Sequence, residues 1–129
     1  MIYIHIPFCH RKCTYCAFYS VPSLRDSQRY IDALCRELEM RRHSMTGPVR
    51  TVYFGGGTPS ILTISQLAQI ADTLRANYDL SALEECTFEA NPEDITPQYL
   101  ADLRSLGLVD RLSLGIQSLH DDELRLIGR

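Results

Sequence analysis

Several features that would assign a function at once are missing from this chain of 129 residues, and each absence narrows the field. No apolar run is long enough to cross a bilayer. The opening MIYIHIPF carries no cleavable apolar segment of signal-peptide length. The five cysteines are an odd number, and with no secretory segment in view a reducing cytosol is the expected setting, where disulfides rarely persist. A long Lys/Arg stripe is also absent and the formal charge is −3, which argues against a nucleic-acid footprint, since phosphate binding needs clustered cations. The run Gly55-Gly56-Gly57 has neither the G-x-G-x-x-G spacing of a dinucleotide fold nor the Gly-Lys-Ser/Thr of a P-loop, so a nucleoside triphosphate site is excluded. No repeat, low-complexity tract or Ser/Gly-rich linker divides the chain. A hydrophobic content of 45% is enough for one domain with a core.

What is present begins with three cysteines in eight residues, Cys9, Cys13 and Cys16, in C-x3-C-x2-C spacing. Three thiolates are one short of the four that close an iron–sulfur cube, so one iron would stay open to bind a small molecule and pass it an electron. Zinc is the competing ligand-set reading: His5 or His10 could complete a Cys3His site, although zinc folds usually pair two ligand knuckles and no second knuckle exists here. Cys35 falls on the apolar face of a predicted helix and Cys86 opens a predicted strand, so both read as small buried hydrophobes. Of two short basic runs, Arg11-Lys12 sits inside the cysteine loop, where it could offset cluster charge. Arg41-Arg42-His43 ends a predicted helix, where cations suit the dipole.

Apolar and β-branched runs alternate with helical patterns, the signature of an α/β fold with a parallel sheet. Strands are predicted at Ile2–Ile6, Val49–Phe54, Cys86–Ala90 and Leu112–Ile116. The first helix presents Ile31, Leu34, Cys35 and Leu38 on one face, and the second Leu67, Ile70, Ala71 and Leu74, with Thr63 and Gln66 as a capping box. The third has Thr96 as N-cap and Pro97 at its first position, shows Leu100, Leu103 and Leu106, and stops at Gly107. A fourth opens near Asp121 with Leu124 and Ile127 inward.

Parallel α/β sheets bind ligands beyond the carboxyl ends of their strands. Each unusual segment falls there: the cysteine loop after strand one, Gly55-Gly56-Gly57-Thr58-Pro59 after strand two, Glu89-Ala90-Asn91-Pro92 closing strand three and Gly115-Ile116-Gln117-Ser118 closing strand four. All four are expected to line one pocket. The glycine run is either a plain turn or a place where a ligand meets bare backbone. Strand alternation separates Glu89 from Phe88 and Ala90, turning it to a solvated layer or to the pocket, where a carboxylate suits a ribose diol or an ammonium. Gln117 either satisfies backbone groups at the strand end or faces the same ligand.

Together Tyr3-Ile4-His5-Ile6-Pro7-Phe8-Cys9, the cysteine triad, Phe54 to Ser60, Glu89 to Pro92 and Arg111 to Ser118 resemble the radical S-adenosylmethionine (radical SAM) superfamily from end to end of the chain. Within it they are similar to the oxygen-independent coproporphyrinogen III oxidase-like group. The resemblance implies that Cys9, Cys13 and Cys16 hold a [4Fe–4S] cluster whose open iron chelates S-adenosylmethionine, leading to a 5′-deoxyadenosyl radical. By the same resemblance Gly56, Gly57 and Thr58 meet the methionine amino group, Glu89 and Gln117 the ribose region, and Arg129 the carboxylate. Tyr15 and Phe18 border the adenine, and Tyr3 flanks cluster and cofactor from the first strand. A reducing electron donor is implied as a partner.

Two departures refine that implication. The oxidase branch resembles C-x3-C-x2-C-x-C, whereas the position two beyond Cys16 here is Phe18. That substitution resembles the heme-chaperone branch, whose members bind and transfer heme; coproporphyrinogen oxidation in porphyrin biosynthesis is the alternative, and a zinc-stabilised structural domain a further one. Family members also form a (β/α)6 partial TIM barrel with a C-terminal domain, so residues 1–129 are expected to be an incomplete radical SAM core lacking two strands and the tail. No heme ligand is assigned among His5, His10, His43 and His120. A sheet cut after its fourth strand exposes an edge and invites self-association.

Overall fold

Side chains along a strand alternate between faces, and here the alternation sorts apolar from polar residues across the whole sheet. The computed structural model describes residues 1–13 and 15–129. Strands β1 (Ile2–Ile6), β2 (Thr51–Gly56), β3 (Glu85–Ala90) and β4 (Arg111–Leu114) pair in parallel in the order β1-β2-β3-β4. Between them run α1 (Ser27–Met40), α2 (Ile64–Asn77) and α3 (Pro97–Ser105), and α4 (Asp121–Leu126) follows β4. Ile4, Phe54, Phe88 and Leu112 stand in one cross-strand row, and Tyr3, Tyr53, Thr87 and Arg111 in the next. The first row faces the helices, where Ile31, Leu38, Ile70, Leu74 and Leu103 complete the core. The second row belongs to the polar face.

Local signals explain why the helices start where they do. At α2 the Thr63 hydroxyl accepts from the Gln66 backbone N–H at 3.2 Å while the Gln66 side chain accepts from the Thr63 N–H at 3.1 Å, so two otherwise unpaired donors are satisfied. At α3 the Thr96 hydroxyl accepts from the Tyr99 N–H at 3.1 Å, with Pro97 at the first position. Gly107, at φ +61°, lets the chain leave α3 through the left-handed region. Phe54 and Phe88 are fully buried with ring centroids 5.7 Å apart. Truncating either to Ala would cost about 3–5 kcal/mol.

Some boundaries differ from the sequence expectation. Strand β2 begins at Thr51 because the Val49 N–H donates to Asp79 O at 2.8 Å and Arg50 O accepts from Glu84 and Glu85, tying these residues to the connection before β3. The β4 ladder covers Arg111–Leu114, not Leu112–Ile116. Beyond it Gly115 still donates to Ala90 O at 3.0 Å. Two one-turn 3-10 segments, Pro59–Ile61 and Pro92–Asp94, were not expected. Leu124 and Ile127 of the α4 region are half-buried and stand outside the core cluster. Leu112 and Leu114 of β4, and Ile116, Leu119 and Leu126 in the chain that follows it, are exposed apolar residues. Among the described residues no helix is long and apolar enough to cross a membrane.

Candidate functional site

The segments at the carboxyl ends of all four strands enclose one cavity of about 450 Å³. Its wall includes Cys9, Cys13 and Cys16 from the loop after β1, Gly56 at the end of β2 with Gly57 and Thr58 just beyond it, Glu89 near the end of β3 with Asn91 just beyond it, and Gly115 and Gln117 after β4. Tyr15, Phe18 and Arg129 also line it. Of the residues that the resemblance assigns to the cluster or to S-adenosylmethionine, Tyr3 alone does not. Its ring stacks on Tyr53 at 5.9 Å beneath the rim, because Tyr3 lies three residues before the end of β1 and on the polar face.

The cysteine loop is closed at its base by backbone pairing. Val21 N–H donates to Pro7 O at 2.7 Å and Cys9 N–H to Val21 O at 3.2 Å. The glycine run holds it from the side: Gly57 N–H donates to Ile6 O and Thr58 N–H to Phe8 O, both at 2.7 Å, and the Thr58 hydroxyl donates to Cys9 Sγ at 3.4 Å. This close approach needs bare backbone. A Cβ on Gly57 would lie 2.6 Å from Phe8 O and 3.0 Å from Cys9 Sγ, and one on Gly56, whose φ is +113°, would lie 2.6 Å from the His5 ring. The run is therefore a packing device for the cysteine loop and more than a plain turn.

Glu89 turns to the cavity, and its Oε1 accepts from the Tyr53 hydroxyl at 2.7 Å. That carboxylate raises the pKa of the Tyr53 phenol, chiefly through this hydrogen bond. Arg129 donates to Gly115 O at 2.7 Å and to Asn91 Oδ1 at 3.1 Å, so the third and fourth rim segments are joined through one guanidinium. Burial works to lower the Arg129 pKa, but neighbouring Tyr15 and Cys13 outweigh it and the net shift is upward. Gln117 is the one non-glycine described residue with positive φ, at +70°, and this conformation brings its side chain to the cavity wall.

A second layer of polar contacts escaped the sequence reading. Asp94 accepts from the Ser60 hydroxyl at 2.5 Å and pairs with His10 Nε2 at 2.8 Å, while the Asn91 N–H donates to Ser60 Oγ at 2.9 Å. Arg11 pairs with Glu93 at 3.2 Å. The local sequence offers only turn signals here, since the partners lie up to 84 positions apart. Tyr53 was findable: strand alternation puts it on the same face as Gly55 and Tyr3.

The donor chemistry fits an iron–sulfur cluster. All three thiols are free, partly exposed and on the wall of the same cavity, whereas Cys35 and Cys86 are buried elsewhere. Burial pushes the Cys86 thiol up to about 12, so it is a poor ligand. Among the described residues no group of three or more His, Cys, Asp or Glu side chains is arranged to hold a metal ion. A cube offers each thiolate its own iron, so the thiols need to face one cavity without meeting at a point. His10 Nε2 is engaged by Asp94, and His5 packs against Gly56 and Tyr3. His43 accepts from Arg42 at 3.1 Å on the surface and His120 is exposed at the start of α4.

Comparison with known proteins agrees with this geometry. The model of the radical SAM superfamily matches residues 3–129. The heme chaperone HemW of Lactococcus lactis is 38% identical over 98% of this chain and 33% of its own length. Anaerobilin synthase of Escherichia coli O157:H7 is 40% identical over 100% of this chain and 30% of its own. In a structure described as coproporphyrinogen III oxidase (HemN) from Escherichia coli, a radical SAM enzyme, 30% of the chain superposes on 99% of this one with TM-score 0.89 and 32% identity. The chain thus spans about a third of the length of these relatives.

Proposed function

Because the chain belongs to the radical SAM superfamily, we propose that it is the N-terminal part of a heme chaperone whose Cys9, Cys13 and Cys16 hold a [4Fe–4S] cluster beside a site for S-adenosylmethionine. The observation that carries the cofactor part is the single cavity shared by the three thiols and the cradle of Gly56, Gly57 and Thr58. When bound, the cluster supplies one electron to the sulfonium of S-adenosylmethionine. The chain's own residues bind and orient. With the Gly57 and Thr58 N–H groups spent on the carbonyls of Ile6 and Phe8, it is backbone carbonyls of the glycine run that would accept from the methionine amino group. Arg129 offers a guanidinium to the carboxylate. Glu89, held by Tyr53, and Gln117 offer acceptors to the ribose. The exposed rings of Tyr15 and Phe18 border the adenine and exclude water from the cavity mouth.

Phe18 favours the chaperone over the oxidase through the resemblance alone: the oxidase branch resembles C-x3-C-x2-C-x-C, and phenylalanine in place of that last cysteine resembles the chaperone branch. Three relatives of similar identity bear three different functional names, so overall similarity does not choose among them. Heme titration of the full-length protein, followed by transfer to an apo-acceptor, tests the reading. Saturable one-to-one heme binding without decarboxylation of coproporphyrinogen III supports it, and conversion of coproporphyrinogen III to protoporphyrinogen IX with methionine released contradicts it.

A further inference from the structure

We propose that Asp94 is a positioning residue that holds the cysteine loop in register with the glycine run, through two hydrogen bonds to His10 and Ser60. The inference rests on the radical SAM reading for its consequence and on geometry alone for its mechanism. His10 follows Cys9 directly, and Ser60 lies two residues after Thr58. One carboxylate thus reaches both walls of the cavity: Oδ1 takes His10 Nε2 at 2.8 Å and Oδ2 takes the Ser60 hydroxyl at 2.5 Å.

Burial gives the contact its weight. The Asp94 side chain is 10% exposed and Ser60 is 3% exposed, so their mutual bond cannot be exchanged for water without loss, while His10 is half exposed and is held against this buried carboxylate from the solvent side. Ser60 spends its remaining capacity on the Asn91 N–H at 2.9 Å, which fixes the hydroxyl's direction. The adjacent Arg11–Glu93 pair joins the same two segments but is 58% and 55% exposed, and an exposed pair contributes little. Asp94 does not line the cavity itself. It acts on His10, which does, and on Ser60, which follows Pro59 of the wall, in the manner of the outer partners that orient metal ligands.

The test uses the full-length protein in two arms. Without metal, alkylation of Cys9 is followed by mass spectrometry. Asp94→Ala should release the loop and raise the Cys9 rate about tenfold. Asp94→Asn should stay within about twofold of the unsubstituted protein, since an amide can accept from Ser60 and meet the other His10 tautomer. After anaerobic reconstitution, Asp94→Ala and His10→Ala should each weaken S-adenosylmethionine binding about tenfold or more and change the cluster's electron paramagnetic resonance response to it. The double variant should be no worse than Asp94→Ala, because both remove one connection. His10→Ala keeps the Asp94–Ser60 arm and decides the matter if Asp94→Ala misfolds. Unchanged Cys9 reactivity in His10→Ala and Asp94→Ala, or an Asp94→Asn protein as impaired as Asp94→Ala, would overturn the inference. Failure of the unsubstituted protein to take up iron would instead overturn the radical SAM reading, while the metal-free arm still judges Asp94.

Discussion

The Tyr53 hydroxyl of β2 donates to Glu89 Oε1 on the neighbouring β3 at 2.7 Å, so the one acidic side chain of β3 that faces the cavity is held in a set orientation. Preorganised acceptors bind a diol better than free ones. Tyr53→Phe removes the hydroxyl and keeps the ring that stacks on Tyr3. Iron uptake should be unaffected, and S-adenosylmethionine should bind up to about tenfold more weakly, the equivalent of one hydrogen bond. Equilibrium binding to the reconstituted protein measures this.

Glycine substitutions should separate bare-backbone packing from mere flexibility. Gly57→Ala drives a Cβ to 2.6 Å from a backbone carbonyl, and Gly56→Ala combines a φ of +113° with the His5 ring. Each should lose about 1–3 kcal/mol and most of its iron. Gly47 has nothing within 4 Å of its added Cβ, and Gly47→Ala should stay within about 0.5 kcal/mol. Denaturant unfolding beside iron analysis checks all three.

Alkaline pH should destabilise the fold. Cys86 rises from 9.0 to about 12, mainly by burial, and Tyr30, Tyr78 and Tyr99 are also raised by burial first. Between their unfolded and folded values these groups are protonated only in the native state, so their contribution is complete below about pH 9 and falls as pH rises through the folded values. Urea midpoints should therefore decline from pH 9 to 12, and Cys86→Ala should flatten part of that decline. A constant midpoint over that range would contradict it.

The β4 edge should drive self-association of residues 1–129 produced alone. Leu112 is 37% and Leu114 45% exposed on the helix-side face, with Leu119 at 87% beyond them, and unpaired edges of this kind template pairing. Sedimentation velocity should show concentration-dependent oligomers that Leu112→Lys with Leu114→Lys suppresses. A monomer at every concentration would contradict the expectation.

Much of this architecture was legible from periodicity because the deciding interactions are local. The limits of β1 (Ile2–Ile6) follow from a short apolar run, and Thr63 with Gln66 marks the start of α2 within four residues of chain. The rim followed from topology, since strand ends of a parallel sheet share an edge. What escaped was set by partners far away. Val49 has the composition of a strand residue, yet Asp79 takes its N–H. Asp94 reads as the end of an acidic turn until His10 and Ser60 arrive beside it. Leu124 carries a helical pattern, but the described residues place no core beside it. The site's wall was visible as motifs, while the contacts that support the wall pair residues of unrelated local sequence.

Iron and acid-labile sulfide analysis of the anaerobically reconstituted full-length protein, before and after Cys13→Ala, bears most directly on the account. A cluster predicts about four irons and four sulfides per chain, lost in the variant, with a resonance signal that shifts when S-adenosylmethionine is added. One zinc per chain with no sulfide, or a full cluster whose signal ignores S-adenosylmethionine, would contradict it.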